Sequence, residues 1–276
     1  MEKVHKIPSF VHLRVRSSFS LGEGLSTPAD ICAFAQRSGY RTVALTDTNH
    51  IHGFLDFHRE AKKCGIKPIY GATLFHTTFA SEGDRRYPFT ALAMTGEGLR
   101  HLVELASLSS LLAEGGSALG EDLLRMNAGG LAVLLDATES EAAHLLASGN
   151  QADASRSLLV FRDIFGENLF MEVQECNDKS NREMSKERRA MTAGMGIQSI
   201  LTEDVRFVGP GKQGILSLLS EIRHPNLGRD FFVDGDLDGD KGMRSSAEMG
   251  KLYYAYHEAY DNTVKLAQKV EGGLAG

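Results

Sequence analysis

The chain has 276 residues and a formal net charge of −6; 42 % of its residues are hydrophobic and 24 % are charged. These proportions are ordinary for a soluble globular protein. The acidic balance argues against a free-standing nucleic-acid-binding protein, which usually carries a basic face. The sequence has no run of eighteen apolar residues, and Met1–Pro8 is charged and polar. We therefore expect neither a membrane-spanning segment nor a signal peptide.

The cysteines indicate a reducing compartment. Cys32, Cys64 and Cys176 are odd in number, lie far apart and form no C-x-x-C pair. A disulfide framework or a structural zinc knuckle is therefore not expected, and the cytoplasm is the predicted location.

Short apolar strands alternate with helical stretches, which is typical of α/β proteins with parallel strands. The first helix is predicted to begin with Thr27 as N-cap and Pro28 in its first turn, and to end near Gly39. Strands are predicted at Phe10–Val15, Thr42–Thr46, Lys67–Leu74, Thr90–Met94, Leu131–Leu135, Asn168–Gln174 and Ile197–Thr202. Further helices are predicted at Phe54–Cys64, Leu99–Leu112, Glu139–Ser148, Ala152–Phe165, Lys186–Gly194, Ile215–Glu221 and most of Ala247–Val270.

About seven strand–helix units favour one closed or nearly closed α/β barrel over two independent domains. We therefore expect a single domain over residues 1–276, with a barrel at about 8–210 and a helical extension at about 211–270. Active sites of such barrels gather at the C-terminal ends of the strands. The residues that directly follow each strand are thus the candidates for a site.

Three stretches carry a family resemblance: FVHLRVRSSFS at Phe10–Ser20, ALTDTNHIHGF and its continuation at Ala44–Gly71, and Gly166–Phe207. In order and spacing they resemble the N-terminal PHP (polymerase and histidinol phosphatase) domain of bacterial DNA polymerase III α subunits. Weaker agreement extends the resemblance over nearly the whole chain. It implies a distorted (β/α)7 barrel of the TIM-like PHP type.

The resemblance also implies where a metal site would lie. Intact members of the family bind a cluster of two or three divalent ions, zinc or manganese, through histidines and carboxylates at strand ends, which suits phosphoester hydrolysis. The matching positions here are Arg14, Arg16, Asp47, Thr48, Thr73, Cys176, Asp204 and Arg206. Arginine has no free lone pair, so only Asp47, Asp204 and Cys176 could still ligate a metal. The expectation is a degenerate metal site with no cofactor and no catalytic residue.

Three interpretations of the arginines remain open. They could pair with Asp47 or Asp204 and replace cross-links once made through metal ions, or they could bind a phosphate. They could also extend into solvent from an unused cleft. We expect Arg14, Arg16, Asp47, Thr73, Cys176, Asp204 and Arg206 to converge at one rim, with at least one arginine within about 3 Å of an aspartate.

Other motifs have plainer interpretations. His50 and His52 form an H-x-H that is predicted to be a surface pair, although a relocated one-metal site with Asp47 and Asp204 is an alternative. His12 is expected to be structural. The stretch Asp234–Asp240 resembles the start of an EF-hand, but the required glutamate would fall on Ser245, so a solvated acidic loop is expected.

The leading functional hypothesis is a degenerate PHP domain of a DNA polymerase III α-type polymerase, retained as a structural and interaction scaffold in DNA replication. Its expected partners are the remainder of such a polymerase chain or a proofreading subunit, with no strong nucleic-acid binding by this domain alone and no membrane. The sequence lacks the carboxylates of a polymerase palm, so the chain alone is not expected to synthesise DNA. The alternatives are a free-standing phosphoesterase with a rearranged single-metal site and a phosphate-binding module that uses the arginines.

Overall fold

The computed structural model describes residues 10–80, 83, 85–174, 188–223, 240–253 and 255–271. Within these residues, six strands form one sheet in the order of the sequence. The strands are β1 (Thr42–Thr48), β2 (Lys67–Thr77), β3 (Arg86–Ala93), β4 (Leu131–Leu135), β5 (Leu169–Val173) and β6 (Gln198–Leu201).

Helices connect and cover these strands. They are α1 (Pro28–Arg37), α2 (Phe54–Cys64), α3 (Gly96–Glu114), α4 (Glu121–Met126), α5 (Glu141–Ala147), α6 (Gln151–Phe165), α7 (residues 188–194), α8 (Gln213–Arg223), α9 (Ser246–Leu252) and α10 (His257–Lys269). The start of α1 is confirmed: Thr27 caps it, and the side chains of Thr27 and Asp30 form a reciprocal capping box. None of the helices in the described ranges is long and apolar enough to cross a bilayer.

The segment 10–16 links the two edges of the sheet. On one side, His12 O and Val15 O accept hydrogen bonds from the backbone of β1, at 2.9 and 2.8 Å. On the other side, the same segment pairs with Val205, just beyond β6: Val205 N donates to Arg14 O at 3.1 Å, and Val15 and Val205 form a parallel bridge. The predicted strand Phe10–Val15 is therefore an extended connection with one bridge, and it curls the sheet into a distorted barrel.

Strand β3 departs from the parallel arrangement that the alternation of strands and helices favours. This strand runs antiparallel to both β2 and β4, whereas β1–β2, β4–β5 and β5–β6 pair in parallel. The reason is the connection. Only residues 78–85 lie between β2 and β3, too few for the helical crossover that returns a chain to a parallel position.

Alternate strand residues pack into two apolar clusters. Val133 and Leu135 of β4 belong to the larger cluster between the sheet and the helices, whereas Leu134 belongs to the smaller cluster that fills the barrel. Helix α10 contributes Leu266 to the smaller cluster. Lys67 fixes this helix, because its Nζ donates to the carbonyls of Ala267 (2.9 Å) and Val270 (2.6 Å) at the helix C-terminus.

The remaining differences from expectation concern element boundaries. The region Ala247–Val270 is divided between α9 and α10, because α9 ends with Tyr253 as its C-cap. The short helix α4 was not predicted, since its six residues are too few for a clear helical period. The predicted α/β class and distorted barrel are confirmed.

Candidate functional site

Arg14 joins three strand ends of the barrel. Its side chain is 3 % exposed, and Nη1 donates to Oδ2 of Asp136 and, at 3.0 Å, to Oε2 of Glu172. Nε lies 3.7 Å from Oδ1 of Asp204. Asp136 directly follows β4, Glu172 lies in β5, and Asp204 follows β6. One guanidinium thus holds carboxylates from three neighbouring strands.

Asp204 is shared by several cations. Its Oδ1 accepts from Arg16 Nη1 at 2.9 Å, and its Oδ2 accepts from Arg206 Nε at 2.8 Å. Lys241 Nζ lies 3.6 Å from the same Oδ2. The carboxylate therefore connects the segment 10–16, the end of β6 and the region that follows α8. Arg14, Arg16, Arg206, Asp136, Glu172 and Asp204 are called the strand-end cluster below.

Burial and charge act in opposite directions on the carboxylates of this cluster. Burial alone would raise the pKa of Asp204, but Arg16, Arg206, Arg14 and Lys241 hold it well below its ordinary value. Burial likewise opposes ionisation of Asp136, yet Arg14 and hydrogen bonds from Thr138 and Glu139 lower its pKa to about 2. Glu172 differs, because burial outweighs the attraction of Arg14 and raises its pKa. Asp136 and Asp204 are thus ionised at neutral pH.

Asp47 is the other aspartate at which an arginine was expected, and serines hold it instead. It is fully buried, and its carboxylate accepts hydrogen bonds from Ser17 N (2.7 Å), Ser17 Oγ (2.8 Å) and Ser20 Oγ (2.6 Å). These bonds fix the turn after the segment 10–16. Asp47 therefore shapes the rim beside the cluster through serines.

Two threonines at the predicted positions complete this rim. Thr48 donates through its hydroxyl to Glu23, whose Oε2 lies 3.5 Å from Arg16 Nε. Thr73 donates to the carbonyl of Thr46 at 3.3 Å. Thr48 thus ties the end of β1 to Glu23, and Thr73, within β2, bonds back to β1.

The structure brings Arg14, Arg16, Asp204 and Arg206 into one cluster, and the expected short contact between an arginine and an aspartate is confirmed for Arg16 and Arg206. Cys176 lies outside the described residues. Sequence reasoning missed Asp136 and Glu172. Asp136 directly follows the buried strand β4, so the rule of inspecting strand ends could have found it. Glu172 carried a weaker signal, since it lies inside β5.

The histidine predictions have separate outcomes. His12 is structural: its Nε2 contacts Tyr40 Oη at 3.1 Å and the carbonyl of Arg244 at 3.0 Å, and burial lowers its pKa to about 4. His50 and His52 lie on the rim with their rings stacked, 4.9 Å between centroids. Of the acidic stretch Asp234–Asp240, only Asp240 lies in the described ranges, and it is exposed.

Comparisons with known proteins bear on this geometry. A family model described as "PHP domain" matches residues 12–176. The DNA polymerase III subunit alpha of Pseudomonas aeruginosa is 29 % identical over 277 residues, covering 95 % of this chain and 22 % of that protein. The DNA polymerase III subunit alpha of Bacillus subtilis is 28 % identical over 261 residues, with 95 % and 23 % covered. The chain thus spans less than a quarter of these relatives' length.

The fold also resembles a solved structure. An amidohydrolase from Chromobacterium violaceum, described with bound SO4 and no metal, superposes with a TM-score of 0.50 at 14 % identity, covering 74 % of this chain and 89 % of that chain. At this identity the likeness concerns the fold alone. It agrees with the distorted TIM-like barrel of the PHP type that the sequence predicts.

The expectation that the chain takes no metal cofactor is contradicted by the comparisons. The chain matches the PHP domain family over residues 12–176. A Bifidobacterium adolescentis protein with 13 % identity, a TM-score of 0.45, and 71 % and 87 % of the two chains covered is described as a "putative metal-dependent phosphoesterase". In the described part of this chain, however, guanidinium groups and serine hydroxyls hold the rim carboxylates, and no group of three or more His, Cys, Asp or Glu could hold a metal ion. These residues do not fit a multinuclear metal cluster.

Proposed function

The chain belongs to the PHP domain family, and we propose that it acts as a structural and interaction domain of a DNA polymerase III α-type chain in DNA replication. The observation that carries the proposal is the strand-end cluster. Its buried arginines join carboxylates from β4, β5 and the end of β6 to the segment that closes the barrel. Such an arrangement stabilises the rim in one conformation, and each arginine of the cluster is already paired with a carboxylate.

Charge supports a structural use of the cluster. Arg14, Arg16 and Arg206 each contact at least one carboxylate, and the carboxylates of Asp136 and Asp204 are held ionised by them. A guanidinium that binds a carboxylate through charged hydrogen bonds is pre-organised and remains protonated at any physiological pH. We infer that these pairs fasten the strand ends to one another and to the segment 10–16.

Two kinds of partner agree with the relatives. The matched relatives are polymerase α subunits more than four times as long as this chain, so the remaining polymerase region is the first partner to test. A proofreading subunit is the second. The net charge of −6 favours contact with proteins over contact with DNA. The polymerase relatives favour a cytoplasmic location.

The test is reconstitution with purified components. The chain is mixed with a DNA polymerase III α-type chain from the same organism that lacks its own PHP region, and separately with a proofreading exonuclease, and each mixture is analysed by size-exclusion chromatography with light scattering. We expect a complex with at least one of them and no shift of labelled DNA by the chain alone. No complex with either partner, combined with hydrolysis of a phosphoester by the chain, would support the free-standing phosphoesterase instead.

A further inference from the structure

A cleft lies between α10 and the first residues of β5 and β6. Its volume is about 230 Å³, and six side chains line it: Phe170, Gln198, Asn262, Lys265, Leu266 and Lys269. Phe170 and Gln198 are paired at the N-terminal ends of their strands, so the cleft lies at the end of the barrel opposite the strand-end cluster. Active sites of such barrels lie at the C-terminal ends of the strands. A site at the opposite end is therefore suited to binding and not to catalysis.

The ionisable side chains of this cleft are all cations. Lys265 and Lys269 are four residues apart, so they lie on one face of α10, and both are exposed. None of the described residues that line the cleft is an Asp or Glu, although acidic residues outnumber Lys and Arg in the chain, 36 to 30. The buried side chains of Phe170 and Leu266 supply apolar walls. A cleft with one sign of charge and apolar walls focuses its electric field and attracts counter-ions.

A buried amide positions one of the two lysines. Asn262 is 2 % exposed; its Nδ2 donates to Ser199 O in β6 at 2.9 Å, and its Oδ1 accepts from Lys265 Nζ at 3.1 Å. The ammonium of Lys265 is thus held beside the sheet. An ammonium group has three donors, so two of them remain for a ligand in the cleft.

The two lysines are not needed to cap α10. Cations near the end of a helix often donate to its free carbonyls. Lys67 already does so, because its Nζ donates to Ala267 O at 2.9 Å and to Val270 O at 2.6 Å. The ammonium of Lys269 makes no hydrogen bond or ion pair with any residue in the described ranges. Like charges four residues apart destabilise a helix, and an anion between Lys265 and Lys269 would relieve that repulsion.

We propose that this cleft binds a phosphate group, either as the free ion or as part of a phosphate monoester. Two ammonium groups match the roughly two negative charges that such a group carries at pH 7, and lysine is a common phosphate ligand. The side-chain amide of Gln198 lines the same cleft and supplies two further donors. The volume is smaller than the ~300–1,000 Å³ of sites for drug-sized ligands, so the cleft fits the phosphate group and not a whole nucleotide. The site is separate from the buried arginines and does not depend on the proposed scaffold role.

Phosphate titration of the full chain in a phosphate-free buffer tests this proposal. Isothermal titration calorimetry at constant ionic strength compares the wild type with Lys265→Met, Lys269→Met and the double variant. The matched control combines Lys62→Met and Lys63→Met, which removes the same charge from exposed positions on α2. Circular dichroism confirms that each variant is folded. We expect saturable binding of phosphate in the wild type and the control, weakened about tenfold by each cleft substitution, because each removes a charged hydrogen bond.

A parallel titration with O-phosphoserine distinguishes the two sources of a phosphate group. Tighter binding of phosphoserine than of inorganic phosphate, weakened in the same variants, assigns the cleft to a monoester, and the reverse order assigns it to the free ion. No saturable binding of either probe by the wild type would overturn the proposal, and so would undiminished binding by the double cleft variant. Equal weakening in the cleft and control variants would also overturn it, because the effect would then reflect net charge alone.

Discussion

Removing a member of the strand-end cluster should leave a buried charge without its partner. Arg16 and Asp204 are both nearly excluded from solvent, with side-chain exposures of 6 % and 5 %, and their atoms lie 2.9 Å apart. Breaking a buried ion pair by removing one partner costs about 3–5 kcal/mol, because the remaining charge stays desolvated. We expect Arg16→Met to lower the free energy of unfolding by about 3 kcal/mol, since Asp204 keeps Arg206 at 2.8 Å.

Asp204→Asn should cost more than Arg16→Met. It leaves both Arg16 and Arg206 without the carboxylate that they share, and it removes a negative charge 3.6 Å from Lys241. The free energy of unfolding should therefore fall by about 4–5 kcal/mol, the upper part of the range for a broken buried ion pair. The double variant loses the Arg16–Asp204 contact only once. Its free energy of unfolding should therefore fall by at least ~1 kcal/mol less than the sum of the decreases in the two single variants.

The measurement is the free energy of unfolding from urea titrations of the wild type, the two single variants and the double variant. Arg59→Met is the matched control: its guanidinium lies 3.5 Å from Asp56, but these side chains are 69 % and 56 % exposed. An exposed pair contributes less than about 1 kcal/mol, so this variant should unfold almost as the wild type does. Additive losses in the cycle, or a loss in Arg16→Met no larger than in the control, would refute the reasoning.

Two further predictions concern acid and packing. In the folded chain the pKa of Asp136 is about 2 and the pKa of Asp204 lies well below its ordinary value. The two carboxylates therefore stabilise the fold fully above the unfolded carboxyl pKa of about 4, and this stabilisation is lost as the pH falls toward 2. Urea titrations across this range should show a smaller decrease in the free energy of unfolding for Asp204→Asn than for the wild type. Gly98→Ala would place a Cβ 1.8 Å from the backbone oxygen of Gly130 and should cost about 1–3 kcal/mol or more, whereas Gly96→Ala meets open space and should change the melting temperature little.

The strand ends were the most predictable part of the site. Arg14, Arg16, Asp204 and Arg206 each flank or follow a predicted strand, and the barrel brings such positions together. Asp136 obeys the same rule, because it follows the buried LAVLL strand, and it was missed for lack of a matching ligand position in the family pattern. Predicting Glu172 requires knowing which side chains of β5 face the barrel. Phe170 points into the barrel, so the side chain two residues later does as well.

The direction of β3 was less predictable, because an apolar strand has the same pattern whether its neighbours are parallel or antiparallel. The length of the connection carries the signal for the first pair: only residues 78–85 separate β2 from β3, too few for a helical crossover. The antiparallel pairing of β3 with β4 has no such signal, because α3 and α4 lie between these strands. The pairing of Asp47 also depends on a local contact. Ser17 and Ser20 lie close along the chain to Arg16, and their hydroxyls donate to Asp47, one of the two aspartates at which an arginine was expected.

The pattern of pairing distinguishes a structural cluster from a phosphate site. Arg14 contacts the carboxylates of Asp136, Glu172 and Asp204, and Asp204 also contacts Arg16 and Arg206, so positive and negative charges alternate across the cluster. A phosphate that entered this cluster would have to displace a buried carboxylate from a guanidinium and leave that carboxylate unpaired, which is costly at such depth. The arginines therefore favour holding the barrel closed over capturing an anion, and the double-variant cycle at Arg16 and Asp204 measures the interaction on which that argument depends.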